Sequence, residues 1–243
     1  MKPAQILWII AGVLVLLLGV SLFVPSGAKI PVGSPLDPNL GVADPSALEG
    51  LTIKKQEDHP VTAEMSKAAA SLDAEKAPDF DLPSVDGPNY TLAQLTDGKP
   101  LLIFFIEKEC PCCLGAKFFV DKMIDLYGEK LNAVGIINAD GAVARAWKKS
   151  TKPLFNVLMD PEQKVIASYK AERGVYTTLI APGGVIDKAY PGYSLETLQE
   201  MSGRIAKLAG VPAKEFVSKS APEKLTSGCA FPELLEKTNS TKS

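Results

Sequence analysis

Histidine is almost missing from this chain. The single imidazole, His59, lies in a proline-rich stretch and reads as a solvated linker residue, which argues against hydrolysis through a cysteine-histidine pair. A charge excess of one sign is missing as well: 26 Lys and Arg stand against 28 Asp and Glu, a formal net charge of −2. With both signs mixed and no basic stripe carrying interleaved aromatics, nucleic acid is not expected as a partner. Glycine-rich phosphate loops, paired catalytic carboxylates and internal repeats are also absent, and no cofactor or resident metal is expected.

The apolar residues, 46% of the chain, are concentrated at the front. From Ile6 to Val24 there is no charge, and at about 1.5 Å per residue the run spans roughly 30 Å, the core of a bilayer. Residues 1–25 are therefore expected to form a single transmembrane anchor. The alternative is a cleaved signal peptide, with Lys2 as its positive region and Ser26-Gly27-Ala28 as a small-residue cleavage site. Either outcome exports the rest of the chain, so the expected location is the extracytoplasmic side of a cell membrane. Residues 26–76, interrupted by Pro31, Pro35, Pro38, Pro45 and Pro60, read as a spacer with at most a short helix after Thr62. A globular domain is expected over 77–210, and 211–243 reads as a polar tail in which only Ser227-Gly228-Cys229-Ala230-Phe231 is apolar enough to pack back.

Within 77–210, periodicity predicts strands alternating with helices. Leu101–Ile106 is a continuous apolar run, as a strand buried on both faces requires. Ala116, Phe119, Val120, Met123 and Tyr127 recur at helical spacing and stop at Gly128. Further strands are predicted at 131–137 and 155–159, and a hairpin about Pro182-Gly183-Gly184. The last amphipathic helix runs from Leu195 to Leu208. The expected fold class is α/β, a mixed central sheet with helices on both faces.

Three of the four cysteines stand at the junction of that strand and helix, in Cys110-Pro111-Cys112-Cys113. The spacing of Cys110 and Cys113 puts both sulfurs on one side of a first helical turn, where a small disulfide ring can open and close in place. Such a thiol pair is a redox device more often than a staple. The helix amino end and Pro111 favour a thiolate at Cys110, whereas the carboxylates of Glu107 and Glu109 oppose it. The balance predicts a thiol less acidic than that of the strongest oxidants, and a reducing or isomerising role more than an oxidising one. Cys112 reads as a small buried hydrophobe or as a third redox or ligand thiol, and Cys229 as free or bridged to Cys112.

Five motifs in this order resemble the thioredoxin-like superfamily: Ala77-Pro78-Asp79-Phe80-Asp81-Leu82-Pro83, Gly98-Lys99-Pro100-Leu101, the cysteine turn, Met159-Asp160-Pro161, and Gly174-Val175-Tyr176-Thr177-Thr178-Leu179-Ile180. Within it the chain is similar to membrane-anchored thiol-disulfide oxidoreductases of the cytochrome-maturation type and to the related AhpC/TSA (redoxin) domains. The resemblance implies a thioredoxin fold with Cys110 and Cys113 as catalytic residues and a protein thiol or disulfide as substrate. It also implies a membrane thiol transporter or a thioredoxin as electron donor. Two departures concern the groove: Tyr176 stands where these proteins carry a cis-proline, and Glu109 where they carry a tryptophan. A cis bond before Tyr176 would cost about 2.5–4 kcal/mol, so a trans bond is expected.

The resemblance leaves two alternatives. An antioxidant peroxidase would need a hydroxyl three positions before Cys110, where Glu107 stands, although Arg173 could serve as a peroxide-binding cation. Soft-metal binding by the clustered thiols and Cys229 is the other, but two separated ligand pairs are missing, and so is the distant histidine of the superfamily's copper-delivery proteins.

Overall fold

The computed structural model describes residues 59–232. The expected anchor and most of the spacer lie outside those residues, and no helix among the described residues is long and apolar enough to cross a membrane.

The sheet is built around one strand. β3 (Leu101–Ile106) is fully buried along its whole length, and alternation of its side chains divides the core into two layers. Leu102, Phe104 and Ile106 face one cluster, whereas Leu101, Ile103 and Phe105 face the other. Ahead of it come α1 (Ala63–Ala70), the short antiparallel pair β1 (Asp81–Pro83) and β2 (Asn89–Thr91), and a single helical turn α2 (Leu92–Leu95). After it come α3 (Pro111–Tyr127), β4 (Asn132–Ile137), α4 (Gly141–Thr151), β5 (Asn156–Met159), α5 (Lys164–Ser168), β6 (Thr177–Ile180), β7 (Ile186–Tyr190) and α6 (Leu195–Ala209).

The strand order is β5-β4-β3-β6-β7, with β3 parallel to β4 and antiparallel to β6. The parallel half is made by helical crossovers and the antiparallel half by the Pro182-Gly183-Gly184 hairpin, where both glycines take positive φ. α3, α4 and α6 cover one face through Phe119, Trp147 and Ile205; α1, α2 and α5 cover the other through Ala69, Leu92 and Ile166. The expected α/β class with a mixed sheet and helices on both faces is thus present.

The folded body extends past both expected boundaries. Before residue 77, Thr62 caps α1 by accepting from Met65 N–H, and Met65, Ala69 and Leu72 are buried. After residue 210, Phe216, Ser227, Cys229 and Phe231 are buried as well. Composition hides this because residues between these anchors are polar and exposed, while a few side chains and backbone pairs do the docking.

Candidate active site

β3 ends at Ile106, and a loop turns the chain into α3. Asn138, at the end of β4, accepts from Lys108 N–H at 2.8 Å, and Glu109 N–H donates to Glu107 Oε2 at 3.2 Å. Cys110 then occupies the N-cap of α3, with extended backbone and Pro111 at the first helical position. Its thiol makes no side-chain capping hydrogen bond, and it lies at the positive end of a helix that runs to Tyr127. Cys113 is one turn on, and its N–H donates to Cys110 O at 3.1 Å.

The three thiols of the turn differ in exposure: Cys110 and Cys113 are buried, and Cys112 is half-buried against the α3 side of the core. None of the four cysteines is in a disulfide. The Cys110 sulfur receives hydrogen bonds from Cys112, from Cys113, and from both the backbone and side chain of Cys229, and these hold its pKa well below the ordinary thiol value despite burial. The thiols of Cys112 and Cys113 are pushed up. For Cys112 the bond it makes to Cys110 comes first and burial second; for Cys113, complete burial comes first. One nucleophile and two proton-bearing neighbours result.

This runs against the expectation of a Cys110 less acidic than in the strongest oxidants. Hydrogen bonds to the Cys110 sulfur are the largest influence on it, and the Glu107 charge bears on Cys113. Glu107 is fully buried, and its backbone also hydrogen-bonds the Cys113 sulfur.

The loop facing the thiols is Gly174-Val175-Tyr176. Among the described residues no peptide bond is cis, so the bond before Tyr176 is trans as expected. Val175 instead carries the departure, at φ 69, a region where a β-branched residue is strained by about 1–3 kcal/mol. It is held there by pairing on β3, with Val175 N–H donating to Phe105 O at 3.0 Å and Phe105 N–H donating to Tyr176 O at 2.9 Å. Gly174 lies so close to the thiols that a Cβ on it would sit 2.6 Å from Cys113 Sγ and 3.2 Å from Glu107 N. Tyr176 turns away from the thiols into the opposite layer, edge-on to Phe105 at 5.8 Å.

Cys229 closes the site. Its N–H donates to Cys110 Sγ at 3.1 Å, so it lies against Cys110, whereas a bridge to Cys112 was the expected alternative to a free thiol. Its own sulfur is 3.6 Å from His59 Nε2. The reading of His59 as a solvated linker is therefore corrected: the ring sits between Cys229 and Arg173, whose Nη1 is 3.4 Å from His59 Nδ1 and also donates to Gly228 O at 3.2 Å. Glu109 is half-buried at the turn and its backbone, through Glu107, helps fix the loop. Sequence reasoning missed Tyr193, whose hydroxyl is raised to about 12, by burial first and then by the neighbouring Cys112, Cys113 and Cys110. Its only sequence signal was aromaticity before a helix cap. Among the described residues no group of three or more His, Cys, Asp or Glu side chains is arranged to hold a metal ion.

Comparison with known proteins matches residues 74–189 to the AhpC/TSA family. A Mycobacterium tuberculosis protein named as a peroxiredoxin is 29% identical over 108 residues, 44% of this chain and 69% of that protein. Among solved structures, one named as a protein disulfide isomerase from Bacteroides thetaiotaomicron aligns with a TM-score of 0.52 at 24% identity, covering 57% of this chain and 90% of that one. Another, named as the thiol:disulfide interchange protein DsbE from Chlorobium tepidum, aligns at 0.51 and 20% identity, covering 57% and 98%. Residues 74–189 are thus similar to AhpC/TSA domains, and the fold is thioredoxin-like.

Proposed function

We propose that this domain is a thiol-disulfide oxidoreductase acting on protein thiols or disulfides, with Cys110 as nucleophile and Cys113 as resolving thiol. The observation that carries the reading is the asymmetry of the pair: Cys110 is held as a thiolate by several donors at a helix amino end, and Cys113 is buried and proton-bearing one turn away. The Cys110 thiolate attacks a substrate disulfide, forming a mixed disulfide and releasing one substrate sulfur. Cys113 then attacks Cys110 Sγ, the second substrate sulfur leaves, and a Cys110–Cys113 disulfide remains. Run backwards, the same steps oxidise a dithiol. Names carried by the structural relatives, disulfide isomerase and interchange protein, agree with this chemistry.

A low thiol pKa stabilises the reduced pair and so favours the oxidising direction, opposite to the reducing bias expected from Glu107 and Glu109. By the sequence reading, the apolar run Ile6–Val24 would tether the domain on the extracytoplasmic side, with a membrane thiol transporter or a thioredoxin exchanging electrons with it; fractionation of cell membranes tests the tether. The mechanism itself is tested by incubating Cys113→Ser with a disulfide-bonded peptide. A covalent adduct on Cys110 is expected; an unmodified Cys110 together with an adduct on Cys112 would contradict the assignment.

The AhpC/TSA match and the mycobacterial relative's name favour a second reading, peroxide reduction. Against it, Arg173 is engaged by Gly228 and His59, and Glu107 occupies the place of the signature hydroxyl. Rapid Cys110-dependent consumption of low-concentration peroxide would establish it.

A further inference from the structure

Residues 222–231 cross the site as a strap fixed at two places by its backbone. At the first, Tyr193 and Thr226 exchange hydrogen bonds at 2.8 and 3.0 Å, while Ser227 N–H and the hydroxyls of Thr226 and Ser227 donate to His59 O. At the second, the strap runs antiparallel beside residues 172–174. Gly228 N–H donates to Gly174 O, Gly174 N–H to Cys229 O, and Phe231 N–H to Glu172 O, at 2.9, 2.9 and 3.1 Å. This is the pairing by which an extended peptide adds to an open strand.

Two glycines admit the strap. A Cβ on Gly228 would lie 2.7 Å from Gly174 O, and one on Gly192 would lie 2.2 Å from Thr226 O. Phe231, with no exposed surface, anchors the far end.

These contacts bring Cys229 across 119 residues of sequence to hydrogen-bond the Cys110 sulfur with its N–H at 3.1 Å and with its side chain as well. The backbone contact sets Cys229 beside Cys110, as a disulfide between them requires. On its other side is His59. The guanidinium of Arg173 can only donate, so its approach to Nδ1 at 3.4 Å leaves the proton of the neutral ring on Nε2, facing the Cys229 sulfur at 3.6 Å.

Resting on the reading of Cys110 and Cys113 as an exchange pair, we propose that Cys229 is a third redox cysteine, an in-chain partner that the strap presents to Cys110 in the groove a substrate peptide would occupy. The step begins from the Cys110–Cys113 disulfide. The Cys229 thiolate attacks Cys110 Sγ; the Cys110–Cys229 bond forms as the Cys110–Cys113 bond breaks, and Cys113 leaves as a thiolate that takes up the proton Cys229 released. No electrons enter or leave. External substrate and strap then compete for Cys110 and for the backbone of residues 172–174.

The test uses the full chain in a glutathione redox buffer, quenched by alkylation and mapped for linked peptides by mass spectrometry. In Cys113→Ser, oxidised glutathione first caps Cys110; Cys229 is expected to displace it, releasing reduced glutathione and leaving a Cys110–Cys229 link. Wild-type protein, which guards against a misfolded variant, is expected to show this link beside Cys110–Cys113. Gly228→Ala, by lifting the strap, is expected to lower the link and raise exchange with an external peptide disulfide, each by about tenfold. A stable glutathione adduct on Cys110 with Cys229 fully alkylated, or a link from Cys229 to Cys112, overturns the proposal while a wild-type Cys110–Cys113 disulfide leaves the exchange reading standing. If Cys110 neither takes glutathione nor pairs with Cys113, both fall.

Discussion

The strand-and-helix centre and the strap are held by different forces. β3 and α3 carry Cys110 and Cys113 on a frame of fully buried apolar side chains, from Phe104 to Met123. Residues 59–61 and 222–231 complete the same site with backbone hydrogen bonds, glycine contacts and a few buried side chains, of which Phe231 is the largest. The first kind of attachment makes a rigid platform. The second can be exchanged for another extended peptide at small cost, because each backbone bond lost is replaced by an equivalent one.

That contrast can be broken at several points. Cys110→Ser is expected to lower thiol exchange by at least about a thousandfold, since every step passes through that sulfur, with insulin or peptide-disulfide reduction as the readout. Phe104→Ala is expected to cost about 3–5 kcal/mol in denaturant unfolding, as deletion of a fully buried ring does. Gly174→Ala is expected to cost about 1–3 kcal/mol and to alter Cys113 reactivity, because the new methyl meets its sulfur at 2.6 Å. Thr226→Ala, which removes one hydroxyl bond to His59 O, is expected to cost about 1 kcal/mol in the same assay. Equal losses for Phe104→Ala and Thr226→Ala would mean that strap and core are one cooperative frame.

The pH dependence sharpens the same contrast between Cys110 and its neighbours. Cys110 has a folded pKa below its unfolded value of about 8.5, so its thiolate stabilises the fold in full above that pH. The contribution is lost as pH falls through the folded value. Alkylation mapped by mass spectrometry should accordingly label Cys110 well below pH 8.5, while Cys113 resists labelling there. Equal labelling of the two would contradict the asymmetry.

Most of the frame was legible because burial leaves a period. The continuous run Leu101–Ile106, the helical spacing from Ala116 to Tyr127, and the Pro182-Gly183-Gly184 turn each mark one element and occur as expected. The thiol pair was legible for the same reason, as it sits where strand pattern gives way to helix pattern. His59, Tyr193 and the strap were not, because they reach the site by long-range backbone pairing, which has no period and little composition. The charge of Glu107 was visible, but not that it acts on Cys113.

The most direct measurement is the redox titration of Cys110 and Cys113 in wild-type protein against glutathione, with the linked peptides identified. A reversible two-electron transition at a potential between about −120 and −270 mV, the range from oxidant to reductant in such pairs, is the predicted result. A pair that stays oxidised below about −300 mV, as structural disulfides do, or that never links Cys110 to Cys113, would contradict it.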